Sequence, residues 1–102
     1  MKTRKILFTV IAKRWFDRIN GNTYHSVRCV RHKDSKIIVG QFQYGYGDCY
    51  RQTALEIMCD AKWLPKQYNR ENMWRYEREN NYPILWDVSD GLKKDCIANG
   101  IL

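Results

Sequence analysis

Ile19-Asn20-Gly21-Asn22 separates two runs rich in apolar and β-branched residues, Ile6 to Phe16 and Thr23 to His32. Asn-Gly at such a junction predicts a β-hairpin closed by a type I′ turn, because both central positions need φ > 0 and Asn and Gly supply it at little cost. A two-residue loop sets the register: Asp17 faces Tyr24, Trp15 faces Ser26, Lys13 faces Arg28 and Ile11 faces Val30. Side chains alternate along a strand, so the hairpin has two faces. Phe8, Val10, Ala12, Arg14 and Phe16 share one with His25, Val27, Cys29 and Arg31. The other holds Thr9, Ile11, Lys13, Trp15 and Asp17 with Tyr24, Ser26, Arg28, Val30 and His32. The first is the more apolar and belongs on the core; the second is mixed and is the better working surface.

A third strand, Lys36 to Tyr44, follows the polar turn His32-Lys33-Asp34-Ser35. Ile38, Gly40 and Phe42 lie on one side of it, and Gly40 in mid-strand marks a bulge or a close approach by the next element. Tyr44-Gly45-Tyr46-Gly47 is a loop, Asp48 an N-cap and Pro65 a stop. Between them Tyr50, Ala54, Ile57, Met58 and Ala61 form the apolar stripe of a long amphipathic helix. Gln67 to Asn81 reads as a second, solvent-facing helix. Ile84-Leu85-Trp86 is a short apolar run, and Ser89 or Asp87 caps a last helix near Leu92 to Ala98, with Gly100 at C′. The expected fold is α+β in one domain, residues 1–102: a three-stranded antiparallel sheet (β-β-β-α), one long helix packed on it and a helical C-terminal tail.

Charge is unevenly placed. Residues 1–36 hold ten Lys or Arg against Asp17 and Asp34, a net +8, while the remainder is −1. A basic hairpin on a neutral body points to a polyanionic partner or to a solubilising surface. The first seven apolar residues after Lys5 imitate a signal peptide, but Lys13-Arg14 follows at once and no small-x-small cleavage site appears, so they read as a strand. No segment is long enough to span a membrane. Cys29, Cys49, Cys59 and Cys96 form no CxxC pair and match no zinc spacing, which predicts reduced, structural thiols and no metal or other cofactor.

Three groups of residues can carry chemistry. On the mixed face, Lys13 opposite Arg28 is a like-charge pair that a phosphate would bridge. Arg14 adds charge nearby, and Trp15 and Tyr24 offer rings for base stacking. The competing expectation is that C-terminal helices cover this face and make Trp15 and Tyr24 core. A second candidate is the loop Gly45 to Gly47 with Arg51 in the following first turn, an anion site weakened by Asp48, which would repel a phosphate. A third is catalytic: His25 with Arg14, Tyr46 or Arg31 is the minimum for a metal-independent ribonuclease, although no spacing demands it. No catalytic residue is assigned.

Trp15-Phe16-Asp17, Asn20-Gly21-Asn22-Thr23-Tyr24-His25-Ser26-Val27 and Tyr44-Gly45-Tyr46-Gly47-Asp48-x-Tyr50 with Thr53-Ala54 resemble a group of small proteins of tailed bacteriophages and prophages. The likeness covers about the first 60 residues, and Tyr82-Pro83-Ile84 with Asp87-Val88-Ser89 echoes their tails more loosely. The resemblance implies a phage setting and action in the host cytoplasm; it transfers no activity. The expectation is a non-enzymatic accessory protein that binds nucleic acid or a phosphorylated nucleotide. The alternatives are an inhibitor of a host defence or regulatory complex and a ribonuclease. Long edge strands also allow pairing into a homodimer.

Overall fold

The structure, a computed structural model, describes residues 5–68 and 73–102. The fold is α+β, with strands β1 (Phe8–Asp17), β2 (Asn22–Arg31), β3 (Lys36–Tyr44) and β4 (Ile84–Asp90) in one sheet of order β3-β2-β1-β4. Its helices are α1 (Cys49–Asp60), α2 (Met73–Glu79) and α3 (Lys93–Asn99), with a 3₁₀ turn at Lys66–Tyr68. The three antiparallel strands expected are present, and β4 is the correction: it joins parallel to β1, from Phe8↔Ile84 to Arg14↔Asp90. The clue was alternation. Ile84, Trp86 and Val88 are placed beside Phe8, Val10 and Ala12, so they extend the apolar face by one strand. A parallel neighbour needs a crossover, and the segment containing α1 and α2 supplies it.

The hairpin loop also differs from expectation. Asp17 pairs with Asn22, which leaves a four-residue loop, Arg18 to Gly21, with only Gly21 at positive φ. Asp17 is the cause: one carboxylate oxygen accepts the backbone N–H groups of Ile19 and Asn20, and the other accepts the Asn20 side-chain amide. That carboxylate closes a wider turn than Asn-Gly alone would. Lys13 therefore faces Ser26 rather than Arg28, and Trp15 faces Tyr24. Because the register moves by two residues, each side chain keeps its expected face.

Phe8, Val10, Ala12, Val27 and Cys29 form the sheet side of the core. Tyr50, Ala54, Leu55 and Met58 of α1 cover them; Leu55 and Met58 are each worth about 1.5–3 kcal/mol when fully buried. Gly40 permits this contact, since a Cβ there would lie 2.7 Å from both Thr53 Cγ2 and Val27 Cγ2. The helix ends before Pro65, in a Schellman arrangement: Trp63 N–H bonds the Met58 carbonyl and Lys62 N–H that of Cys59, with Lys62 at φ 64°. Met73, Tyr76 and Glu77 of α2 are buried, so that helix is shorter and less solvent-facing than Gln67 to Asn81 suggested; residues 69–72 lie outside the described residues.

α3 crosses the opposite, mixed face. Its docking is polar: the Ser26 hydroxyl donates to the Cys96 carbonyl at 2.5 Å, and Asn99 Nδ2 donates to the carbonyls of Ile11 and Ser26. Ser89 and Asp87 belong to β4, so neither caps α3. Leu92 occupies the N-cap, and Gly100, at φ −93°, is the C-cap rather than a left-handed C′ residue.

Candidate functional site

The site begins with an irregularity in β3. Pairing passes from His25↔Gln43 to Val27↔Gly40, so β3 spends one more residue than β2 across Ser26. A bulge of this kind moves the side chains beyond it to the other face. Phe42 accordingly leaves the side of Gly40 and joins the mixed face, where its ring stacks on Tyr24 (centroids 5.0 Å, planes 10° apart). Trp15 completes the cluster at 5.7 Å from Tyr24 and 6.3 Å from Phe42, and Tyr44 meets Tyr24 edge-on at 5.8 Å. Phe42 was not anticipated as a site residue, because alternation alone assigns it to the core.

α3 covers part of this face. Ser26 is buried beneath it, so the helix passes between Tyr24 and Arg28 on β2. Trp15 and Tyr24 remain half-buried rather than sealed, and Lys93 Nζ sits 5.2 Å from the Trp15 ring centroid. Lys13 and Arg28 lie on the other flank of α3, in a shallow groove shared with Asp95, Ala98 and Asn99. Arg28 is engaged there, donating to the Asn99 and Ile101 carbonyls at 3.4 and 2.6 Å, where it complements the negative end of α3. Lys13 donates to the Ser89 hydroxyl at 3.3 Å. The phosphate clamp and the stacking rings expected together are therefore divided by a helix.

Arg14 points to the α1 side, as alternation requires. Its Nε bonds Asp90 at 2.8 Å and one terminal nitrogen reaches the Gly47 carbonyl at 3.5 Å. There it borders an open groove of about 680 Å³ at the loop end of the hairpin, lined also by Trp15, Phe16, Arg18, Thr23, Gly47 and Leu92. The groove exists because β4 stops pairing at Asp90, while β1 continues to Asp17. It unites Arg14 and Trp15 with Gly47, which the sequence assigned to two different candidates. Arg18 and Thr23 are additions; neither belongs to a recognisable motif.

The remaining candidates are engaged elsewhere. Arg51 bonds Glu77 at 2.8 Å and lies against the Trp86 and Trp74 rings at 4.5 and 5.2 Å, away from any anion at the loop. Gly45 packs against the His25 ring, where a Cβ would approach Cε1 to 2.5 Å. His25 is 2% exposed, between the Gly45 carbonyl and the Thr53 hydroxyl, and burial holds its pKa below the usual value. It is thus not presented to a substrate as the ribonuclease reading requires.

The positive charge of the hairpin is likewise distributed rather than gathered on one face. Arg14 pairs with Asp90, and Arg31 pairs with Asp34 at 2.6 Å while its guanidinium lies 4.8 Å from the centroid of the Trp63 ring. Arg31 lowers the Asp34 carboxyl to about 2. Lys33 and Lys36 sit by the β2–β3 turn, at the far end from the groove. Cys29, Cys59 and Cys96 are buried free thiols, that of Cys29 pushed up to about 12 by desolvation, and Cys49 is exposed. Among the described residues no group of three or more His, Cys, Asp or Glu is arranged to hold a metal, and no helix is long and apolar enough to cross a membrane. No protein-family model, curated protein or solved structure matches the chain.

Proposed function

We propose that this chain is a non-enzymatic binding protein for a nucleotide ligand, free or within single-stranded nucleic acid, and that Trp15 is the ring on which its base stacks. The observation that carries this is the position of Trp15: it belongs to the Trp15–Tyr24–Phe42 cluster and also lines the groove bordered by Arg14 and Arg18. Flat rings beside guanidinium groups suit an unstacked base with its phosphate, and each base–aromatic contact is worth about 1–3 kcal/mol. Lys93 Nζ lies over the ring, 5.2 Å from its centroid, and a stacking base would displace it from there. In the phage setting implied by the resemblance, such a protein would sequester or sense a nucleotide in the host cytoplasm and act against host defence.

Titration with a short single-stranded oligonucleotide and with nucleotides, at low and at moderate salt, tests the proposal. The expected result is binding that weakens with salt and drops at least tenfold in Trp15→Ala. No binding at low salt, or affinity unaffected by that substitution, refutes it.

A second reading, a protein-protein inhibitor, draws on the apolar side chains beside the same groove. Phe16, Leu92 and Ile19 are 55%, 61% and 93% exposed, an arrangement that suits interface anchors. It predicts that a defined host protein co-purifies after nuclease treatment and is released by Ile19→Ala.

A further inference from the structure

The groove at the hairpin end has a polar inner edge as well as an aromatic wall. The Thr23 carbonyl accepts the Gly45 N–H, so the peptide groups of Thr23 face β3 and not β1. Its partner Phe16 is then a non-hydrogen-bonded pair member, with its own N–H and C=O turned towards the side on which β4 lies. The last bond on that side is Gly91 N–H to the Arg14 carbonyl at 2.9 Å. Beyond it, among the described residues, no strand pairs with β1 on that side and nothing bonds the Phe16 peptide groups. An adjacent donor and acceptor therefore open at the edge of the groove that Trp15 and Phe16 both line.

The charges of the groove differ in how far they are committed. Asp17 is held by the turn amides, and Asp90 by Arg14. Arg18, exposed on the hairpin loop, has no ion-pair partner among the described residues. The volume, about 680 Å³, lies in the range of about 300–1,000 Å³ usual for small-molecule sites.

Resting on the nucleotide reading above, we infer that this groove takes a single phosphorylated nucleotide: its base lies against Trp15 and hydrogen-bonds the Phe16 peptide edge, and its phosphate meets Arg18. Every nucleobase carries neighbouring donors and acceptors on its pairing edge, so a strand's free N–H and C=O can hold one without a side-chain partner. Arg18 supplies the charge-assisted contact, and Arg14, already half-neutralised by Asp90, contributes less.

The test is a titration with ADP, adenosine and a single-stranded oligonucleotide, followed through backbone amide and indole N–H resonances. ADP is expected to shift Trp15, Phe16 and Gly47 and to bind about tenfold more tightly than adenosine. Arg18→Glu is expected to abolish that preference. Lys33→Glu, the same charge change at the opposite end of the hairpin, is expected to keep it. An ADP preference that survives Arg18→Glu, or shifts confined to other residues, overturns the inference. Oligonucleotide binding without ADP binding overturns it while leaving the broader function standing, and binding of neither ligand removes both.

Discussion

The Thr53 hydroxyl lies 2.7 Å from Nε2 of His25 and ties the first turns of α1 to the middle of the sheet. Nδ1 of the same ring is 3.2 Å from the Gly45 carbonyl, which only accepts. Nδ1 therefore carries the proton, and Nε2 accepts from Thr53. Thr53 also approaches the Cys49 carbonyl at 3.3 Å, but one hydroxyl proton cannot serve both partners well.

That arrangement makes stability sensitive to pH. Desolvation lowers the folded-state pKa of His25 from 6.5, so below pH 6.5 the unfolded chain takes up a proton that the folded chain resists. The stability present above pH 6.5 is lost as pH falls through the folded pKa. Urea unfolding at pH 7.5 and pH 5 is expected to show a lower midpoint at pH 5. His25→Asn should be less stable at the higher pH and have a smaller difference between the two. An unchanged difference in the variant would assign the effect to other groups.

Glu77 is buried and bonded to both Arg51 and Nε1 of Trp86, at 2.8 and 3.0 Å. Arg51→Ala strands a buried carboxylate, with an expected loss of about 3 kcal/mol. Glu77→Gln keeps an acceptor for Trp86 and should lose less. Chemical denaturation of both variants measures the order, and a greater loss in Glu77→Gln would contradict it.

Gly40→Ala places a methyl group 2.7 Å from Thr53 Cγ2 and Val27 Cγ2, both in the core. Overpacking of this kind costs about 1–3 kcal/mol. Adding Thr53→Ser removes one of the two opposing methyls while keeping the hydroxyl for His25, and should restore part of the loss. Additive effects in the double variant would show that the two sites do not touch.

Lys62 holds a left-handed conformation at the end of α1 without being glycine. Lys62→Gly relieves a cost of about 1 kcal/mol, partly offset by greater freedom in the unfolded chain. The expected outcome is a gain of a few tenths to about 1 kcal/mol, read as a higher urea midpoint. A lower midpoint would show that the lysine side chain contributes more than its backbone strain costs.

Much of the sheet and of α1 was readable from local pattern. The alternation of Phe8, Val10 and Ala12 against Lys13 and Trp15 survived a two-residue error in register, because a shift of two preserves every face. The β4 strand was hidden because Ile84 to Asp90 is short, follows a proline and pairs in parallel with a strand more than 70 positions away. Arg14 and Trp15 were singled out together and Gly47 apart from them, since the groove all three share arises where β4 ends and β1 does not. Phe42 was misplaced by one bulged residue.

The order of apolar and polar positions in this chain determined which residues would form the first three strands, which would form the long helix, and which side of the hairpin would be buried. Those outcomes depend on contacts between residues one to four places apart, whose periods are written locally. The partner of β1, the path of α3 across the mixed face and the separation of Lys13 and Arg28 from the aromatic cluster were decided only in the tertiary structure. There, Ser26, Cys96 and Asn99 satisfy one another's hydrogen bonds across about 70 residues of sequence, and no local period encodes such a meeting.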